Sequence, residues 1–142
     1  MSSIFTRIVK GEIPAWKVAE SEHFLAFLDV RPLAKGHTLV IPKLETDYFF
    51  DLSDEELTGI ILFSKKVATA VKNTIPCLRV GMSVIGLEVP HAHIHLVPLN
   101  NMGDINFGKT PLSFSPEEMK EIADNIRGAF SSLDTLIEKG KR

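Results

Sequence analysis

Apolar positions change their period along this chain, and each change marks an element. Ile4, Phe5, Ile8 and Val9 keep one-turn helical spacing until Gly11 and Pro14 break it, which predicts a short N-terminal helix. Residues 16–19 and 24–30 are brief apolar and β-branched runs on either side of a polar turn at 20–23, the pattern of a hairpin. Arg31 and Pro32 end the second run, Gly36 allows a tight re-entry, and residues 37–41 predict a third strand closed by Pro42. A period of two puts His37 on one face with Leu39 and Ile41.

Residues 47–51 suit a single helical turn, and a stronger start signal follows. Ser53-Asp54-Glu55-Glu56 is a capping box, and Leu57, Ile60, Ile61, Val67, Ala68 and Val71 then recur at helical spacing to about residue 73. Residues 77–85 predict a fourth strand, 86–90 a connection, and 91–97 a fifth strand stopped by Pro98. Residues 100–114 are rich in Asn, Gly and Pro without a clear period, a loop of functional length. A second capping box, Ser115-Pro116-Glu117-Glu118, opens a helix carrying Met119, Ile122, Ile126, Phe130, Leu133 and Leu136. The order predicts an α+β fold: a single domain over 1–142 with a five-stranded, mainly antiparallel sheet, two long helices and a short N-terminal helix.

Composition narrows the setting. A chain of 142 residues suits one core. With 16 basic and 18 acidic residues and no long run of like charge, no nucleic-acid footprint is expected, and any bound nucleotide is small. No apolar run reaches the ~20 residues that span a bilayer, so no membrane partner is expected. The lone Cys77 and the absence of an apolar leader point to a cytoplasmic setting.

The chemistry concentrates in His91-Ala92-His93-Ile94-His95-Leu96-Val97, which holds three of the five histidines. On a strand these rings form a row on one face, with Cα atoms ~6.7 Å apart, while Ala92, Ile94 and Leu96 face a core. Two imidazoliums at that spacing repel by about 2.5 kcal/mol at an effective dielectric of 20, so the three rings do not all carry a proton near neutrality. A neutral imidazole beside a donor suits a nucleophile acting on an anionic substrate. The bland alternative is a solvated polar face, and a His-x-His pair is also a zinc-ligand pattern.

The stretch resembles the His-φ-His-φ-His-φ-φ signature of the histidine triad (HIT) superfamily. Ile4-Phe5, Gly11-Glu12-Ile13-Pro14, residues 25–30 and residues 36–43 resemble its Hint branch in sequence and order, over about residues 3–99. The resemblance implies a nucleotide hydrolase or transferase that needs no metal or other cofactor. It attacks the α-phosphate of a nucleoside phosphoramidate or mixed anhydride and forms a covalent nucleotidyl-histidine on His93. His95 would donate to the phosphate, the His91 carbonyl would fix the His93 tautomer, and His37 would support the array. Ile4, Phe5, Ile8, Phe27 and Val30 would line a purine pocket or serve as plain core. Asp29 would accept from the ribose or make a local Asx turn. The resemblance also implies a homodimer, joined across a sheet edge. Dinucleoside polyphosphate hydrolysis, or a nucleotide-sensing module with weak catalysis, are the alternatives.

Departures from the family pattern bear on metal and leaving group. Many bacterial relatives hold a structural zinc with two cysteines, a histidine after Pro-Lys and a triad histidine; the matching positions here are Ser3, Thr6 and Glu45. Many relatives read Gly-Gln-Ser or Gly-Gln-Thr before the triad, where this chain reads Gly86-Leu87-Glu88. Glu88 is therefore expected either to protonate the leaving group, with Leu87 and Val89 desolvating it beside the substrate, or to act as an ionised acceptor.

Overall fold

In the computed structural model, residues 2–140 are described, with side chains through Leu133; Leu136 lies outside that set. The elements are α1 (Ile4–Val9), β1 (Lys17–Glu20), β2 (Phe24–Leu28), β3 (Thr38–Pro42), α2 (Asp54–Thr74), β4 (Arg79–Ser83), β5 (Ile94–Leu99) and α3 (Pro116–Gly140). The five strands form one sheet in the order β1-β2-β3-β5-β4, and every neighbouring pair is antiparallel.

Each long helix starts at its capping box. Ser53 Oγ accepts from the Glu56 N–H at 3.1 Å. Ser115 Oγ accepts from the Glu118 N–H, and Glu118 Oε1 accepts from the Ser115 N–H in return, so otherwise unpaired N-terminal groups of α3 are satisfied. Gly36 turns the chain into β3 with φ of 89°, and the His37 N–H donates to the Ala34 carbonyl across the turn.

The sheet has two apolar faces of different use. Val18, Ala26, Leu28, Val40, Ala92, Ile94 and Leu96 share one core with Ile60, Phe63, Val67 and Val71 of α2 and Met119, Ile122, Ala123 and Ile126 of α3. On the reverse face Leu25, Phe27, Leu39 and Ile41 pack with Phe5 and Ile8 of α1. The alternation in β2, β3 and β5 therefore assigns each strand residue to the helix side or to the α1 side. All three of these strands are nearly buried throughout, as strands covered on both faces must be.

Pro42 closes β3 as expected, whereas Pro98, expected to stop the last strand, lies inside β5. Pro42 pairs with Phe24, and Pro98 pairs with Val80. Neither position needs a ladder donor on its second side, because pairing between β3 and β5 runs only from Thr38↔Leu96 to Val40↔Ile94. The loop at 100–114 also contains more order than its sequence period shows: a 3-10 turn over Met102–Ile105, capped by Asn101 and Asp104. Among the described residues no helix is long and apolar enough to cross a membrane.

Candidate active site

The triad is only partly a strand. His95 lies in β5, opposite Leu39 of β3 and Ser83 of β4, whereas His91 and His93 precede it. Pro90 and a tight turn, in which the His91 N–H donates to the Val89 carbonyl, break the ladder. The Ala92 N–H then donates to the Thr46 carbonyl, and the last β3 carbonyl, Pro42, accepts from His91 Nε2–H at 2.8 Å. A side chain thus takes the place of a ladder amide, and the three rings do not form one row. Phe5 stands edge-on to both His91 and His93, with centroids 5.8 and 5.1 Å away. His93 and His95 are direct neighbours at 4.9 Å, and His95 and His37 follow at 5.2 Å.

The hydrogen-bond partners set the tautomers. The His91 carbonyl faces His93 Nδ1 at 2.7 Å, so Nδ1 carries the proton and the neutral ring keeps its lone pair on Nε2. The Leu33 N–H donates to His37 Nδ1 at 3.0 Å, which puts the His37 proton on Nε2. That Nε2–H donates to His95 Nδ1 at 3.0 Å, which in turn puts the His95 proton on Nε2. The result is a lone pair on one ring and an N–H donor on the next.

Burial favours the neutral form of His95, His37 and His91. Desolvation lowers the His95 pKa to about 3, with the neighbouring His37 and His93 pushing the same way. His37 is lowered by desolvation against the opposing pull of Asp29, whose Oδ2 lies 3.6 Å from its Nε2. His91 is lowered by desolvation, partly offset by its bond to the Pro42 carbonyl and by Glu45.

The remaining expected residues divide by exposure. Phe5, Ile8 and Phe27 are buried in the α1-side core, with Phe5 and Phe27 edge-to-face at 5.4 Å. Ile4 and Val30 are exposed apolar side chains, and Val89 packs against the α1-side core. Asp29 makes the local turn, its Oδ1 accepting from the Arg31 N–H at 2.9 Å, while Oδ2 points toward His37. Leu87 is 89% exposed and Glu88 is exposed beside it, so the Leu87 side chain does not cover Glu88 from solvent. Sequence reasoning missed Leu33, whose amide orients His37, and Phe107, which lies 4.7 Å from the His95 ring. The unusual length of the loop at 100–114 was the one signal for Phe107.

Neither candidate metal cluster fits a metal. Asp29, His37 and His95 offer ligand atoms within 4.8 Å of one another. However, His37 Nε2 carries a proton while Nδ1 accepts from Leu33, so coordination there would break that bond or require an imidazolate. Ser3, Thr6, Glu45 and His91 do meet, but as a closed hydrogen-bond cluster. Glu45 Oε1 accepts from the Ser3 N–H at 2.6 Å and from Thr6 Oγ1–H at 2.7 Å, and Ser3 Oγ donates to His91 Nδ1 at 2.7 Å. Two hydroxyls are poor ligands at a soft tetrahedral zinc site.

The fold and sequence of this chain match those of known proteins. The HIT domain model matches residues 10–102, and this chain belongs to the HIT family. The adenosine 5'-monophosphoramidase hnt1 of Schizosaccharomyces pombe is 39% identical over 128 residues, covering 89% of this chain and 96% of that protein. A Zn-bound histidine triad family protein from Mycobacterium smegmatis superposes with a TM-score of 0.79 at 31% identity, covering 96% of this chain and 98% of that one. A Hit-like protein from Bartonella henselae, described as involved in cell-cycle regulation, gives 0.78 at 30% identity, with 90% and 96% covered.

The Glu45 cluster has a measurable pH signature. The Ser3 N–H, then the Thr6 hydroxyl, hold the Glu45 carboxyl down from its ordinary 4.5 to about 2. Because the folded-state value is depressed, the stabilisation is present above pH 4.5 and lost as the pH falls toward 2. The melting temperature is expected to fall more steeply through this window in the wild type than in Glu45→Gln; equal slopes would show that the cluster does not hold the carboxylate.

Proposed function

We propose that this HIT-type nucleotide hydrolase attacks the α-phosphate of a nucleoside phosphoramidate or mixed anhydride through His93 and passes through a covalent nucleotidyl-histidine. The observation that carries the reading is the 2.7 Å bond from His93 Nδ1–H to the His91 carbonyl, which leaves Nε2 as the lone-pair nitrogen. The name of the S. pombe relative supports the phosphoramidate class and an adenine, hence purine, nucleotide.

In the first half-reaction a bond forms between His93 Nε2 and the α-phosphorus, and the bond from phosphorus to the leaving group breaks, an amine taking its proton from solvent and an anhydride oxygen leaving as the anion. His95 Nε2–H donates to a phosphate oxygen as charge redistributes over it. In the second half-reaction water displaces the imidazole and releases the nucleoside monophosphate. Phe5, Ile8 and Phe27 form the floor under the rings, Ile4 and Val30 offer exposed apolar surface to the base, and Asp29 Oδ2 accepts from the ribose. Exposed Leu87 and Glu88 leave the leaving group without a desolvated acid from that loop, which keeps a weakly catalytic nucleotide sensor as the second reading.

The sheet edges support a homodimer. At one edge β1 is covered by α3, whose Arg127 guanidinium donates to the Lys17 carbonyl. At the other edge β4 carries exposed Met82, with exposed Leu78 and Ile85 flanking the strand, and Leu78, Met82, Met102 and Ile105 line a groove of ≈ 430 Å³. An open apolar edge invites pairing, and a two-fold copy satisfies it in a closed way.

His93→Ala is expected to lower turnover of adenosine phosphoramidates at least about a thousandfold with nucleotide binding retained. Mass spectrometry of quenched wild-type enzyme should find the nucleotidyl group on His93, and a label on another residue would overturn the assignment. Glu88→Gln should cost the same for all leaving groups or nothing. A loss that grows with leaving-group basicity would instead restore an acid role. Light scattering should give twice 15.8 kDa at micromolar concentration; a monomer there would exclude the dimer.

A further inference from the structure

The loop that follows β5 reaches back over the histidines and is held there by its own bonds. Asp104 Oδ2 accepts from the N–H groups of Asn100 and Asn101, at 2.6 and 2.9 Å. Asn106 Oδ1 accepts from the Gly108 N–H at 2.9 Å, and the Asn106 carbonyl accepts from the Lys109 N–H. Farther on, the Leu112 N–H donates to the Pro32 carbonyl at 2.8 Å, tying the loop to the segment that leads into His37. Between these anchors Phe107 sets its ring edge-to-face on His95, 4.7 Å away at 73°, and 6.4 Å from His37.

Phe107 is 41% exposed, so its burial is a poor reason for an aromatic ring at this place. Its cover is better explained by what lies beneath. His95 has His93 on one side and His37 on another. Phe107 supplies a third wall, and His95 is left only 8% exposed. We propose that Phe107 is a positioning residue for His95: its ring excludes water from the His37–His95 hydrogen bond and so holds His95 with Nε2–H presented to the α-phosphate.

The inference rests on His95 as the phosphate donor. Water beside the pair would compete for His95 Nδ1, and a proton gained there would oppose the His37 Nε2–H and break the bond between the rings. His93 adjoins His95 at 4.9 Å and disfavours a charge on it. Asp29 lies 3.6 Å from His37 on the β2 side, and Lys109 of the same loop disfavours a charge on His37. The cross-strand neighbours of His95 are the uncharged Leu39 and Ser83. Burial is the first cause of the depressed His95 value, and Phe107 is one of the rings packed against His95.

The test is a ¹⁵N-histidine NMR titration of the ligand-free wild-type protein, Phe107→Ala and Phe107→Leu, with circular dichroism to verify folding. Wild-type His95 should remain the neutral Nε2–H tautomer through the acid range. In Phe107→Ala its titration should move up by about one unit or more as the site hydrates, and Phe107→Leu should restore most of the wild-type behaviour. With a phosphoramidate substrate, the acidic limb of kcat/KM should shift upward in the alanine variant, with kcat reduced about tenfold at neutral pH and KM little changed. An unaltered His95 tautomer and titration in folded Phe107→Ala would overturn the proposal. The NMR result stands without turnover, so failure of the phosphoramidate reading is distinguishable from failure of the Phe107 role.

Discussion

The site depends on where one backbone carbonyl points. His91 O receives the proton of His93 Nδ1, and without that acceptor the His93 ring has no reason to keep its lone pair on Nε2. The carbonyl is placed by restraints around it: the turn after Pro90, the Ala92 N–H on Thr46, and the His91 ring held between Ser3 Oγ and the Pro42 carbonyl. A histidine in the signature therefore acts chiefly through its main chain, while its side chain anchors that main chain. This division explains why His91 is fully buried and His93 and His95 are the rings that adjoin each other.

The two faces of the sheet divide stability from chemistry. On the helix side, Ala92, Ile94 and Leu96 belong to the large core with α2 and α3, so the strand that carries His95 is fixed from behind. On the α1 side the core is smaller, and Phe5 extends it under His91 and His93. Rings in this setting are dehydrated without being packed into the main core. That keeps His95 neutral and still leaves its polar edge available to an anionic substrate.

The cluster at the start of α1 ties three segments of the chain together by hydrogen bonds. Ser3 both caps α1, accepting from the Thr6 N–H, and donates to His91; Glu45 gathers the Ser3 and Thr6 donors. The helix that lies over the site, the segment after β3 and the first triad histidine are thus joined by hydrogen bonds among four side chains and two amides. Each bond has a definite direction, so the cluster also fixes the His91 tautomer, with Nε2–H on Pro42.

Local patterns were enough for the elements. The two capping boxes, the glycine turn before His37 and the alternation of Ala92, Ile94 and Leu96 against the histidines depend on interactions within a few residues, and these are legible in sequence. The family resemblance likewise brought His37, His91, His93, His95 and the Ser3, Thr6 and Glu45 positions to one site. The strand limit at Pro98 was not legible, because a proline is tolerated wherever the neighbouring strand leaves its amide position unpaired. The break of the triad out of β5 was hidden for a similar reason: Pro42 O takes its partner from a side chain 49 positions away. Only tertiary structure brought the Leu33 amide to His37, set Phe107 over His95 and left Glu88 in solvent. Sequence supplied the imidazoles; which nitrogen of each carries the proton was decided by partners that only the folded chain brings within hydrogen-bond reach.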